Sequence, residues 1–366
     1  MMEDSFQSRL YRFAARHVAQ NLPPWTAAKA DDQTEDEEEA GGIGIRISLG
    51  MPRSIAAPLG DETWTLEPAI MQETKFSAAI YRLKYGPQIG FIRIPRYQHD
   101  PKRAEVFGDL IRRFETDTDA LLIDQQYNRG GSLLQMYAMC SYLTDRPLPV
   151  PLHQVKLWEN DVPEAEDVLE RQQYGDELPD QDRPSPYEIA WANFVIRHAK
   201  LGKGVLSDPV PLFGISQIEP ANHVYSRPIF LLSNHLTFSA GEFLAAILKD
   251  NGRAILLGRN TAGAGGCVRV LHSDTIDRLI PGMSISLTWT VGWRRNGFAI
   301  ENTGISPDIE IRDTIEDVKS DYAQFRRTVG LTIAEALHEP KGISVLKEMR
   351  DARMQAETNP AGRDIG

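Results

Sequence analysis

Ser239 can be interpreted in two ways, as a catalytic nucleophile or as the N-cap of a helix. It lies in residues 235–253, which read HLTFSAGEFLAAILKDNGR. A serine followed three residues later by Glu242 fits a capping box, and apolar residues at helical spacing continue to a stop at Gly252. Within this segment the cap is the simpler interpretation, so any case for chemistry depends on the rest of the chain.

Two glycine-containing turns supply that case. NRGG (128–131) and TFSAG (237–241) each follow a short apolar strand and precede a helix. Ligands of open α/β sheets bind at the carboxyl ends of strands, where glycines and helix N-termini leave N–H groups for an anion. A serine on one turn facing a Gly-Gly turn provides a nucleophile and an oxyanion hole. The alternative for NRGG is an ordinary tight turn.

The elements that must position these turns alternate between strands and helices. Predicted strands include SAAIYRLKYG, IGFIRIP, DALLID, PIFLLSN and AILLG, and Asp100-Pro101 predicts the start of a helix. We therefore predict an α/β fold with a sheet covered by helices. Residues at about 156–210 are more polar, with helical patches, and are predicted to form a mainly helical insertion.

Charge and length divide the chain further. Its 366 residues carry a net charge of −11, and seven acidic residues lie within 31–39. We predict an N-terminal helix and a disordered acidic tether over 1–42, a core over 43–312 and a helical C-terminal tail over 313–366. No basic stripe appears, which argues against a nucleic-acid partner.

Composition excludes several other classes. No stretch has the length of a membrane span and the N-terminus has no apolar signal region, so a cytoplasmic location is expected, or a secreted or periplasmic one if the N-terminus is truncated. The only cysteines, Cys140 and Cys267, cannot form a disulfide framework or a zinc site by themselves.

Four spaced motifs give a more specific indication. IGFIRIP, ALLIDQQYNRGGS, the segment from PIFLLSN to TAGAGG, and IENTGISPDIEI follow one another within residues 89–312. In order and spacing they resemble the tail-specific, or C-terminal-processing, serine protease superfamily, most of all the branch typified by the chlamydial protease-like activity factor. The resemblance implies a ClpP/crotonase-like core.

The resemblance also implies roles for individual residues. The nucleophile would be Ser239, with oxyanion donors on the backbone of Ala240 and of Gly130 or Gly131. The commoner branch activates its serine with a lysine at the position that is Ala264 here. The chlamydial-type branch uses Ser–His–Glu, and its glutamate corresponds to Glu301.

The histidine of that arrangement has no counterpart in the sequence. In the related branch it precedes an IG-x-R segment, whereas here IGIR (43–46) follows two glycines. Two other histidines are candidates for the base: His235, four residues before Ser239, and His99, just past IGFIRIP.

The sequence thus predicts a serine-type endopeptidase that forms an acyl-enzyme on Ser239 and acts on a protein or peptide substrate. No metal or organic cofactor and no membrane partner are implied, and homo-oligomerisation is left open. Because the base is not located, the alternative is a non-catalytic homologue that binds a ligand or peptide.

Overall fold

The computed structural model describes residues 59–83, 86–158, 160–175, 177–179, 182–201, 206–271 and 285–338. The predicted N-terminal helix, the acidic tether, the IGIR segment and the chain beyond 338 lie outside these ranges. Within them, no helix is long and apolar enough to cross a membrane.

A seven-stranded sheet forms the centre of the molecule, in the order β1-β2-β3-β4-β8-β9-β13. The first three strands pair antiparallel, whereas β3, β4, β8, β9 and β13 are all parallel. These strands are β1 Asp61–Thr65, β2 Ser77–Arg82, β3 Gln88–Arg93, β4 Ala120–Asp124, β8 Ile229–Ser233, β9 Ala254–Gly258 and β13 Ile309–Glu310.

The parallel strands at the centre are continuous apolar runs because helices cover both faces of the sheet. Every residue of β4, β8 and β9 is buried. The helices are α1 Pro68–Thr74, α2 Pro101–Asp117, α3 Leu133–Cys140, α4 Asp161–Gln173, α5 Pro186–Ala199, α6 Ala240–Asp250, α7 Ile315–Lys319 and α8 Ala323–His338. The buried apolar side chains form two clusters: one includes residues of helices α1 to α6, and the other includes residues of α8.

Helix α8 lies in the region predicted as a C-terminal tail, yet it completes the core. Its buried residues Phe325, Val329 and Ile333 recur at helical spacing and join the cluster that includes Phe91 and Leu232 of the sheet. The second face of the sheet is therefore covered by a helix beyond residue 312.

Short strand pairs extend the molecule beyond the main sheet. They join β5 Leu148–Pro149 to β7 Gln217–Ile218, β6 Leu152–Val155 to β12 Thr290–Trp293, and β10 Val268–Leu271 to β11 Ile285–Thr288. The predicted insertion contains α4 and α5, so the mainly helical character expected there is confirmed. Asp100 caps α2 as predicted, since its carboxylate accepts the N–H of Lys102 at 2.9 Å.

Candidate active site

The two predicted turns meet because they leave adjacent parallel strands. β4 and β8 pair in parallel, so residues 125–131 and 234–239 emerge at the same edge of the sheet. The N–H of Phe238 donates to the carbonyl oxygen of Asn128 at 2.8 Å. A methyl group built on Gly130 would lie only 2.6 Å from Ser239 Cβ, so glycine permits the close approach.

Ser239 is not a helix cap, which corrects the simpler interpretation of its segment. It precedes α6, but its side chain makes no capping hydrogen bond, and its φ of 50° and ψ of −120° are unusual for a residue other than glycine. Such conformations cost about 1–3 kcal/mol and cluster at functional sites. A serine on a strained turn between a strand and a helix is the arrangement of a nucleophile elbow.

The carboxylate of Glu242 holds a third loop against Ser239, while the Ser239 hydroxyl makes no capping hydrogen bond in return. It accepts the Thr261 hydroxyl and the N–H groups of Gly263 and Ala264, each at 2.7 Å. Ala264 in turn accepts the N–H of Ser239 through its carbonyl oxygen at 3.2 Å. Position 264 therefore adjoins the serine, and its methyl side chain offers no base.

The candidate oxyanion donors differ in availability. The N–H of Gly130 donates to Asn128 Oδ1 at 2.7 Å, and Gly130 is buried. Gly131 is exposed, and neither its N–H nor that of Ala240 has an acceptor among the residues that the structure describes. Of the two glycines that the sequence left open, Gly131 keeps a free amide.

Glu301 lies in a turn after β12, and the next residue, Asn302, donates its N–H to Gly263 of the loop that contacts Ser239. Gly292 donates its N–H to both carboxylate oxygens, at 2.9 and 3.0 Å, and a methyl group on Gly266 would lie 3.2 Å from Oε1. Burial raises the pKa of Glu301, and the hydrogen bond from Gly292 opposes the rise. The site thus contains a half-buried carboxylate without a cationic partner in the described part of the chain.

Neither candidate histidine completes the arrangement in this structure. Among the described residues, Ser239 Oγ accepts or donates no hydrogen bond, and no histidine pairs with Glu301. His235 is exposed. His99 is partly buried, its Nδ1 makes no hydrogen bond, and burial lowers its pKa. Both remain predictions as the base.

Sequence patterns did not single out a third histidine near the site. His153, on β6, is fully buried, stacks on Phe243 of α6 with ring centroids 4.8 Å apart, and lies 3.2 Å from Thr290 Oγ1 through Nδ1. Burial lowers its pKa to about 3, so the ring is neutral at pH 7. It pairs with Gly292 across β6 and β12, but among the described residues it makes no hydrogen bond to Ser239 or Glu301, so we interpret it as a packing residue.

The described residues hold no group of three or more His, Cys, Asp or Glu side chains arranged for a metal ion. Nor do the thiols supply a nucleophile. Burial raises the pKa of Cys140 to about 12 and that of Cys267 to about 11, which keeps both protonated at neutral pH.

Comparison with known proteins agrees with this geometry. The model of peptidase family S41 matches residues 88–311. The chain belongs to peptidase family S41. The resemblance and the fold predicted from the four motifs are thereby confirmed.

Three of the curated relatives are chlamydial. An uncharacterized protein of Chlamydia muridarum is 36% identical over 275 residues, which make up 68% of this chain and 45% of that protein. The crystal structure of mature CPAF is 32% identical with a TM-score of 0.66, covering 77% of this chain and 57% of that one. Mature CPAF complexed with lactacystin is 28% identical with a TM-score of 0.67, covering 88% and 63%. The chain spans about half the length of the curated relatives it matches.

Because Ser239 caps nothing, its hydroxyl contributes little to stability. We expect Ser239→Ala to change the free energy of unfolding by less than about 0.5 kcal/mol. Ser132→Ala is the matched control, since Ser132 Oγ accepts the Gln135 N–H at 3.2 Å at the start of α3 and its loss costs about 1 kcal/mol. Urea denaturation of both variants checks this, and an equal loss in both would restore the capping role of Ser239.

Proposed function

We propose that this S41 chain is a serine peptidase that cleaves peptide bonds through an acyl-enzyme on Ser239. The observation that carries the proposal is the strained backbone of Ser239, whose hydroxyl makes no capping hydrogen bond, together with the Ala240 and Gly131 amides, which have no acceptor among the described residues. Its Oγ would attack the scissile carbonyl, and the N–H groups of Ala240 and Gly131 would stabilise the oxyanion of the tetrahedral intermediate. The substrate class is a protein or peptide, as for the family.

A serine hydroxyl needs a base, and Glu301 is placed to support one. An imidazole between Glu301 and Ser239 would accept the hydroxyl proton, while the carboxylate would fix its tautomer and stabilise its positive charge. His235 and His99 are the candidates that the sequence offers. His235 is the nearer along the chain, and its side chain is exposed.

The second interpretation, a non-catalytic binding homologue, is not favoured. Binding alone requires neither a strained backbone at Ser239 nor a carboxylate that burial makes costly to ionise. Both features destabilise the fold, and both have a use in acyl transfer.

Labelling with a serine-directed fluorophosphonate tests the proposal. Modification should map to Ser239, vanish in Ser239→Ala and persist in the control Ser320→Ala, whose serine is exposed at the C-terminal end of α7. His235→Gln and His99→Gln identify the base, because the labelling rate should fall by roughly 10²–10⁴-fold only in the variant that removes it. Modification of another residue, or none in the folded chain, would contradict the proposal.

Glu301→Gln should have opposite effects on stability and on catalysis at neutral pH. In wild type the raised pKa of Glu301 means that the folded state holds its proton more tightly than the unfolded chain does, so the contribution of this proton to stability is full at low pH and is lost as pH rises through the raised pKa. Glutamine carries no charge, so the variant should equal wild type at acid pH and become the more stable of the two towards pH 7.

The same variant should lose roughly 10⁴-fold in kcat, as when the carboxylate of a Ser-His-Asp triad becomes an amide. Thermal melts across pH and peptidase assays check the two effects together, with the exposed Glu335→Gln as the control. Unchanged turnover in Glu301→Gln would exclude Glu301 from the mechanism, whatever its stability.

A further inference from the structure

The two turns are joined by a buried polar network that the family motifs do not explain. Gln125 and Asn128 on one turn, and Asn234 and Thr237 on the other, are each at most 3% exposed. The Thr237 hydroxyl donates to the Gln125 carbonyl oxygen at 2.9 Å, and Asn234 Oδ1 accepts the Tyr127 N–H at 3.1 Å. Each link crosses from one turn to the other.

Asn128 lies at the centre of this network, and both the nitrogen and the oxygen of its side-chain amide form hydrogen bonds. Nδ2 donates to the Ile94 carbonyl oxygen at 2.8 Å, and Oδ1 accepts the Gly130 N–H at 2.7 Å. Its main-chain oxygen accepts the Phe238 N–H, next to Ser239. A Cβ on Gly241 would lie 3.4 Å from Asn128 Oδ1, so the residue after Ala240 closes over this amide.

We propose that Asn128 is a positioning residue for the oxyanion hole; this rests on the proposed function. Its side chain accepts the Gly130 N–H, so that amide cannot donate to an oxyanion. It also fixes the turn so that the Gly131 N–H is the one available to the oxyanion. The left-handed backbone supports this, because Gly130 has φ of 85° and Gly131 has φ of 127°. Without the Asn128 side chain, the buried Gly130 N–H would lose its acceptor, and the turn would lose both side-chain hydrogen bonds that fix the orientation of its amides, although its main-chain hydrogen bonds to Tyr97 and Phe238 would remain.

The role of Asn128 predicts a selective effect on transition-state binding. A peptide boronic acid mimics the tetrahedral intermediate, whereas the corresponding uncharged peptide amide mimics only the substrate. Asn128→Ala in the full chain should weaken boronate binding by roughly 10²-fold, the effect of losing one oxyanion donor, and leave binding of the peptide amide nearly unchanged. Asn193→Ala is the control, since Asn193 is an exposed asparagine on α5 that donates to its own helix.

A second measurement uses the wild-type chain, so it does not require Asn128→Ala to fold. With ¹⁵N-labelled glycine and alanine, the boronate should shift the amide resonances of Gly131 and Ala240 and leave that of Gly130 in place. Without ligand, the Gly130 amide should exchange with solvent deuterium far more slowly than the Gly131 amide.

The outcomes distinguish this inference from the proposed function. Failure of wild type to bind the boronate would count against Ser239 as nucleophile, and the exchange rates would still decide the role of Asn128. A boronate shift at Gly130 but not Gly131, faster exchange at Gly130, or an equal loss of boronate and peptide-amide binding in Asn128→Ala would overturn the inference.

Discussion

The hydrogen bond from the Phe238 N–H to the Asn128 carbonyl oxygen ties together the two turns on which the site depends. It exists because β4 and β8 are parallel neighbours whose chains leave the sheet at the same edge. Buried backbone groups need partners, and here each turn supplies partners for the other. The same hydrogen bonds between the turns after β4 and β8 therefore fix both the nucleophile and the amides proposed to face it.

The site contains conformational strain and a half-buried carboxylate, both of which destabilise the fold, and packing elsewhere in the molecule must offset their cost. Ser239 is held in a strained conformation by its own hydrogen bond to Ala264 and by that of the preceding Phe238 to Asn128. Glu301 is half-buried and accepts the Gly292 N–H. The offset comes from apolar burial on both faces of the sheet, including the face that α8 covers. A rigid core under a strained turn is what preorganised acyl-transfer chemistry requires.

Much of the fold could be predicted from local patterns, because strands such as ALLID and IFLLS are continuous apolar runs between turn residues. The prediction that the Ser239 hydroxyl caps the helix was wrong. Residue spacing cannot show that tertiary contacts hold the serine at a positive φ, where its side chain makes no capping hydrogen bond. The integration of α8 into the core was missed, because an amphipathic helix does not reveal which surface it covers. The roles of Asn128 and Gln125 were also missed, as buried amides at strand ends resemble ordinary turn residues in sequence.

The central claim is that these turns make Ser239 a site of acyl transfer. The most direct measurement is the intact mass of the chain after incubation with an activated peptide ester and an acid quench, followed by peptide mapping. The account predicts one acyl group per chain, on Ser239, and none on Ser239→Ala. Acylation at another residue, or an equal extent in Ser239→Ala, would contradict it.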